Sequence, residues 1–197
     1  MTDCGAVDVE LPKVMQYLRM GGATPDGALA ERIAALRERA GREMFPRRTW
    51  LRVRAPQRWL DESRALSLRL SGCRDVYLAC GTLGAAYDAF HRRVSVRSCA
   101  DALIVQAIGA AAVEKVMDSI EDDIRAELSA GETLAARYSP GYADFPLSEQ
   151  RALLGMLDAS RKVGVSLTGD FLMVPSKSVS AVIGVRAMVD TRCGVLI

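Results

Sequence analysis

Between Arg137 and Pro146 the chain reads RYSPGYADFP. Within a few residues it sets a permanent cation, a hydroxyl, a Pro-Gly turn and an aromatic ring. An arginine is a planar fork of N–H donors, matched in shape to a carboxylate. Pro140-Gly141 specifies a turn, and glycine lets a bound molecule lie against the backbone. Amides exposed in such a turn can hydrogen-bond a ligand edge. Tyr142 offers a ring for packing and for attraction to a cation. On the residues alone two readings stand: half of an anion clamp, or a strand-end arginine followed by an ordinary β-turn.

Other reactive side chains are few. Glu114 interrupts the apolar face that precedes it (Ala110 to Val113), as either a solvated helix charge or a carboxylate facing a bound cation. His91 is the single histidine, expected within a helix after Phe90 as a surface or boundary residue, so most metal and triad chemistry is excluded. The five cysteines, Cys4, Cys73, Cys80, Cys99 and Cys193, form no CxxC pair and are odd in number. A disulfide framework or zinc site is not expected, and a reducing cytoplasm fits. Cys73 and Cys80 flank a strand as core thiols. GTLG, Gly81 to Gly84, lacks the full glycine pattern of a dinucleotide loop. Arg47, Arg48, Arg52, Arg54 and Arg58 form a basic stripe, either a solvated strand face or a dock for an acidic partner. No acid–base pair, nucleophile or metal site emerges, so no catalytic residue is expected.

RYSPGY and PSKSVSAVIG (Pro175 to Gly184), with the GTLG turn and the SCADALIVQAIGAAAVE helix, resemble the activation domain of cobalamin-dependent methionine synthase, in particular its free-standing forms. The resemblance runs from about Leu11 to Val185. It implies an S-adenosylmethionine site at Arg137, Ser139, Gly141, Tyr142, Glu114 and Ile183. Arg137 would take the ligand carboxylate, Tyr142 would pack by the sulfonium, and Glu114 would line the site. Ile183-Gly184 stands where the full-length synthase has a Tyr-Phe pair, and an N-terminal aspartate of its site has no counterpart here. The implied function is reactivation of a corrinoid methionine synthase, with the cobalamin held by that partner or its cobalamin-binding domain. The alternatives are a corrinoid-protein interaction module that binds no S-adenosylmethionine, or an activator of another corrinoid methyltransferase.

The elements that must position these residues follow from periodicity. Leu11 to Arg19 reads as a short helix with Pro12 in its first turn. Thr24 is the expected N-cap of a helix running to about Arg42, with Pro25 first and Leu29, Ile33 and Leu36 on one face. RRTWLRVR alternates as a strand, with Thr49, Leu51 and Val53 inward and Trp50, Arg52 and Arg54 on a wet side. A short helix ends at Gly72, and Asp75 to Cys80 is a strand. Ser98 and Asp101 form a capping box that opens the longest helix, to about Leu128. ETLAARY is a strand, LSEQRALLGML a helix. Strands follow, with turns at Thr168-Gly169 and Pro175-Ser176-Lys177.

The 197 residues suffice for one sizeable core. Half are hydrophobic and the formal net charge is +2, too balanced for nucleic-acid binding from bulk charge. The longest apolar run, Ala102 to Val113, falls short of the ~20 residues of a membrane span. The N-terminus does not read as a secretory signal. The expected fold is α+β, one domain over 1–197, with a curved mixed or antiparallel sheet flanked by helices, one long and central. A helical part occupies about 8–45. It is expected in the cytoplasm, with no nucleic-acid or membrane partner.

Overall fold

The computed structural model describes residues 7–187, so Cys4 and Cys193 lie outside the described residues. Two helices come first, α1 (Leu11–Tyr17) and α2 (Gly27–Gly41). Pro12 does sit in the first turn of α1. The cap of α2 is Asp26, not Thr24: its carboxylate accepts the Leu29 N–H at 2.7 Å. Aspartate outranks threonine at this position, and the extended backbone of Asp26 places Pro25 before the helix. Ile33, Leu36 and Ala40 form its buried face.

The sheet is antiparallel, in the order β1-β2-β6-β3, from β1 (Arg47–Arg54), β2 (Cys73–Thr82), β3 (Glu132–Leu134) and β6 (Ser178–Ala187). A separate hairpin pairs β4 (Ser166–Leu167) with β5 (Met173–Val174). The single helix expected before Gly72 is two, α3 (Gln57–Glu62) and α4 (Arg64–Arg69). Ser63 breaks the run and caps α4 through its hydroxyl. After α5 (Ala85–Ser95) comes α6 (Cys99–Glu127), 29 residues and so roughly 44 Å long. Only one arm of its capping box closes. Ser98 accepts the Asp101 N–H at 3.1 Å, while the Asp101 carboxylate holds Arg32 at 2.5 Å instead.

Two layers cover the sheet. On one face Met117, Ile120 and Ile124 of α6 pack in one cluster with Tyr77, Ala79, Ala181 and Ile183. On the other, Val76, Leu78, Cys80 and Val182 meet Trp59, Leu66, Phe145, α7 (Gln150–Leu157) and α8 (Ala159–Val163). A third cluster joins α1, α2, α5 and the first half of α6. On the wet side of β1, Arg52 and Arg54 are exposed, while Arg48 and Trp50 reach α6. Arg48 bonds Asp123 at 2.7 Å, Trp50 donates to Glu127 at 3.3 Å, and Arg52 bridges Asp75 and Glu132 at 2.9 and 2.6 Å. Arg58 pairs with Glu149. Three arginines of the stripe are thus spent on internal carboxylates. Among the described residues no helix is long and apolar enough to cross a membrane.

Candidate functional site

A cavity of about 470 Å³ opens where β6 runs out of partners. β3 covers β6 only at Val185–Ala187, and a single bridge, Tyr138 to Val182, extends the pairing. The chain then leaves the sheet at Ser139 and Pro140. From Ser180 back to Ser178, β6 lines the cavity, walled by Arg137, Ser139, Pro140 and Tyr142 on the loop and Glu114 on α6.

The loop is held from below. Gly141 has φ +93°, a left-handed conformation, and a Cβ there would also come within 3.2 Å of Leu147. Its N–H donates to the Phe145 carbonyl at 2.8 Å, closing the turn. Phe145 is buried edge-on against Trp59, centroids 5.6 Å apart, and stacks on Tyr138 at 6.3 Å. Asp144 reaches across to cap α4, accepting the Ser63 hydroxyl at 2.6 Å and the Arg64 N–H at 2.9 Å. The Ser63 hydrogen bond first, then the backbone N–H groups, hold its carboxyl below the usual aspartate range against partial desolvation.

Arg137 reaches the opposite way, to α6. It donates to Glu114 at 2.6 Å, Asp118 at 2.7 Å and Glu121 at 2.5 Å. Those carboxylates recur at i, i+4 and i+7 and so share one helix face. Like charges at such spacing repel, and the guanidinium between them offsets this. Desolvation disfavours the charged guanidinium, yet the bonds to Asp118, Glu121 and Glu114 outweigh it and push its pKa above the ordinary arginine value. Its side chain remains 25% exposed.

Of the six residues expected at a site, Arg137, Ser139, Tyr142 and Glu114 line one cavity, and Gly141 lies in the loop between two lining residues. Tyr142 is 65% exposed, its ring 6.1 Å from Tyr138. Ile183 does not join them. It is fully buried in the cluster under α6, so its side chain is not part of the cavity. Its neighbour Gly184 carries no side chain for a steric reason: a Cβ would sit 2.6 Å from Cys73 Sγ and 2.8 Å from Leu70. A Tyr-Phe pair cannot occupy these two positions without rebuilding both sheet faces.

Several participants had no individual signal in the sequence. Arg69, Gln150, Met173, Ser178 and Ser180 line the cavity but come from four separate elements or loops. Tyr17 ends α1 close enough to feel the charges of Glu114, Arg137 and Asp118; partial burial first, then Glu114, raise its phenol pKa. Asp118 and Glu121 are the exception, since their spacing from Glu114 was readable. His91 is half-buried on α5 and no part of the cavity.

The family model described as "Vitamin B12 dependent methionine synthase, activation domain" matches residues 91–189, half of the chain. The match contains α6, the RYSPGY loop and β6. Among solved structures, the fold is similar to the crystal structure of the MetH reactivation domain bound to AdoHcy, with TM-score 0.64 and 14% identity, over 93% of this chain and 75% of that one. No curated protein sequence matches.

Proposed function

Because the chain belongs to the vitamin B12 dependent methionine synthase activation domain family, we propose that it binds S-adenosylmethionine in the β6-edge cavity and serves to reactivate a corrinoid methionine synthase. The observation that carries the proposal is the pairing, in one cavity, of a guanidinium and a carboxylate at the RYSPGY loop. The amino-acid end of S-adenosylmethionine bears a carboxylate, an ammonium and a sulfonium, so a site for it needs both signs of charge side by side. The volume lies within the usual ~300–1,000 Å³ of small-molecule sites. Arg137 would hold the carboxylate, Glu114 would face the cationic groups, and Ser139, Gly141 and Tyr142 would form the wall. The solved structure similar in fold is described as bound to AdoHcy, the demethylated counterpart, which supports the choice of ligand.

When bound, S-adenosylmethionine supplies a methyl group already activated on sulfur. The chain's own residues contribute binding and orientation, and none of those in the cavity forms a nucleophile–base pair. The cobalamin that accepts the methyl would sit on the partner polypeptide, in the cytoplasm. The described residues would act as one domain in this. The work is then positioning, which alone can supply several kcal/mol by converting a free encounter into an oriented one.

The test uses a corrinoid methionine synthase without its own activation domain, its cobalt oxidised to the inactive state. With an electron donor and methyl-labelled S-adenosylmethionine, adding the protein should restore the methylcobalamin spectrum and place label on the cofactor. Equal restoration without the protein overturns the proposal. One observation favours a second function: the three carboxylates already occupy the Arg137 fork. A chain that docks on the corrinoid protein but shows no heat of binding with S-adenosylmethionine would be an interaction module.

A further inference from the structure

A second hollow, about 520 Å³ in volume, lies where α2 and α5 end, and it shares no lining residue with the β6-edge cavity. Phe90, Arg93, Val94 and Arg97 fall at i, i+3, i+4 and i+7, a spacing that sets them on one helical face. Arg97 follows α5, and its N–H still donates to the Val94 carbonyl at 3.0 Å. From α2 come Arg39, in the last turn, and Arg42, the C-cap. Phe90 and Val94 are buried and give the hollow an apolar floor. Two guanidiniums lie over the Phe90 ring, Arg39 at 5.6 Å and Arg93 at 5.9 Å. Val96, also part of the lining, is 88% exposed.

Basic residues at a helix C-terminus complement its dipole, and one at each end would suffice for that. Here four converge. Arg93 donates to Glu43 at 2.7 Å, and Arg42 pairs with Glu38. The side chains of Arg39 and Arg97 have no carboxylate and no hydrogen bond among the described residues. Two positive charges therefore line one hollow without a counter-ion, above a low-dielectric floor that focuses their field. Helices that end here offer carbonyls rather than N–H groups, so recognition of an anion falls to the arginine side chains.

We propose that this hollow binds a small organic phosphate monoester, its phosphate held by Arg39 and Arg97 and its carbon portion resting on Val94 and Val96. A phosphate monoester carries about −1.5 to −2 charge at neutral pH, which matches two unpaired guanidiniums. A lone carboxylate would leave one of them uncompensated. The planar forks present paired N–H groups to phosphate oxygens, and a tetrahedral phosphate can accept from two forks at once. The volume lies within the usual ~300–1,000 Å³ of small-molecule sites. The apolar floor favours an ester over the bare ion. Nothing in this depends on the S-adenosylmethionine site.

The test is calorimetric titration at low ionic strength with three probes: phenyl phosphate, inorganic phosphate, and phenol, which keeps the ring and lacks the charge. Phenyl phosphate should bind, inorganic phosphate more weakly, and phenol not at all. Arg39→Gln and Arg97→Gln should each weaken phenyl phosphate by about 5- to 20-fold, as expected for a lost contact to a charged group. Both side chains are exposed, so the variants should fold, and circular dichroism melts check this. Val96→Ser should weaken phenyl phosphate and leave inorganic phosphate unchanged. Arg161→Gln removes an exposed arginine outside the hollow and should change neither. The proposal is overturned by the absence of binding at millimolar phenyl phosphate, or by wild-type affinity in both arginine variants. Inorganic phosphate or phenol binding as tightly as the ester also overturns it. So does an equal loss in Arg161→Gln, which would mark diffuse attraction to a basic surface.

Discussion

At the residue scale, the carboxylates around Arg137 set the electrostatics of the site. Glu114, Asp118 and Glu121 outnumber one guanidinium, so an incoming ligand carboxylate competes with groups already bound. Asp118 is the most exposed of the three and gives least in return. If Arg137 holds the ligand carboxylate, Asp118→Asn should raise S-adenosylmethionine affinity by a few-fold, and Glu114→Gln should lower it by removing the negative charge that faces the ligand cations. Titration of the two variants checks this; weaker binding by Asp118→Asn would mean that the acids hold a ligand cation and Arg137 only braces them. Arg137→Ala should cost ~1.5–3 kcal/mol of binding as a lost charge-assisted contact. It should also cost about 1 kcal/mol of stability in denaturant, because the same side chain ties the loop to α6. That second effect was not foreseeable from RYSPGY alone. The motif announces a fork but not what fills it, since Glu114 is 23 residues away.

At the scale of elements, the loop from Arg137 to Pro146 is a fixed part. Gly141→Ala places a side chain at φ +93° and against Leu147, which should cost about 1–2 kcal/mol. Circular dichroism melts would register it, and an unchanged midpoint would show that the turn relaxes freely. Asp144 adds a pH dependence. Its folded pKa is depressed, first by the Ser63 hydroxyl and then by α4 N–H groups, so its contribution is present at neutral pH. That contribution is lost as pH falls through the folded value, below the ordinary aspartate range. Asp144→Asn should melt lower at pH 7, and the gap to wild type should close as both are acidified; a constant gap would assign the loss to packing. Local signals in the sequence did place the elements. Pro12 marked α1, the Leu29–Ile33–Leu36 spacing marked α2, Ser98 marked α6, and the alternation of RRTWLRVR marked β1. What they could not place was anything decided across long separations. Ser63 splits a helix whose cap is shared with Asp144, and β3 shrinks to three residues because only Val185–Ala187 lie opposite it.

At the scale of the whole molecule, the cavity lies at an uncovered strand edge, beside the point where Arg137 of the loop bonds to α6. α6 supplies one wall and the Phe145-anchored loop with α7 supplies the other, each fixed by its own core cluster. The basic stripe shows the same logic inverted. Its alternation was readable, but the acidic face of α6 that neutralises Arg48, and the acids that bridge Arg52, are revealed only by the way the chain folds back. A ligand lodged between the layers binds the native state alone, since the unfolded chain brings none of these walls together. At a concentration 100 times its Kd such a ligand adds about 2.7 kcal/mol of stability. For a chain near 200 residues, each kcal/mol moves the melting temperature by about 2–4 °C. S-adenosylmethionine should therefore raise Tm by roughly 5–10 °C at that saturation. Arg137→Ala should remove most of the shift at the same ligand concentration. A ligand-independent Tm at millimolar S-adenosylmethionine would leave the fold to serve in docking only, and the corrinoid partner would become the first ligand to test.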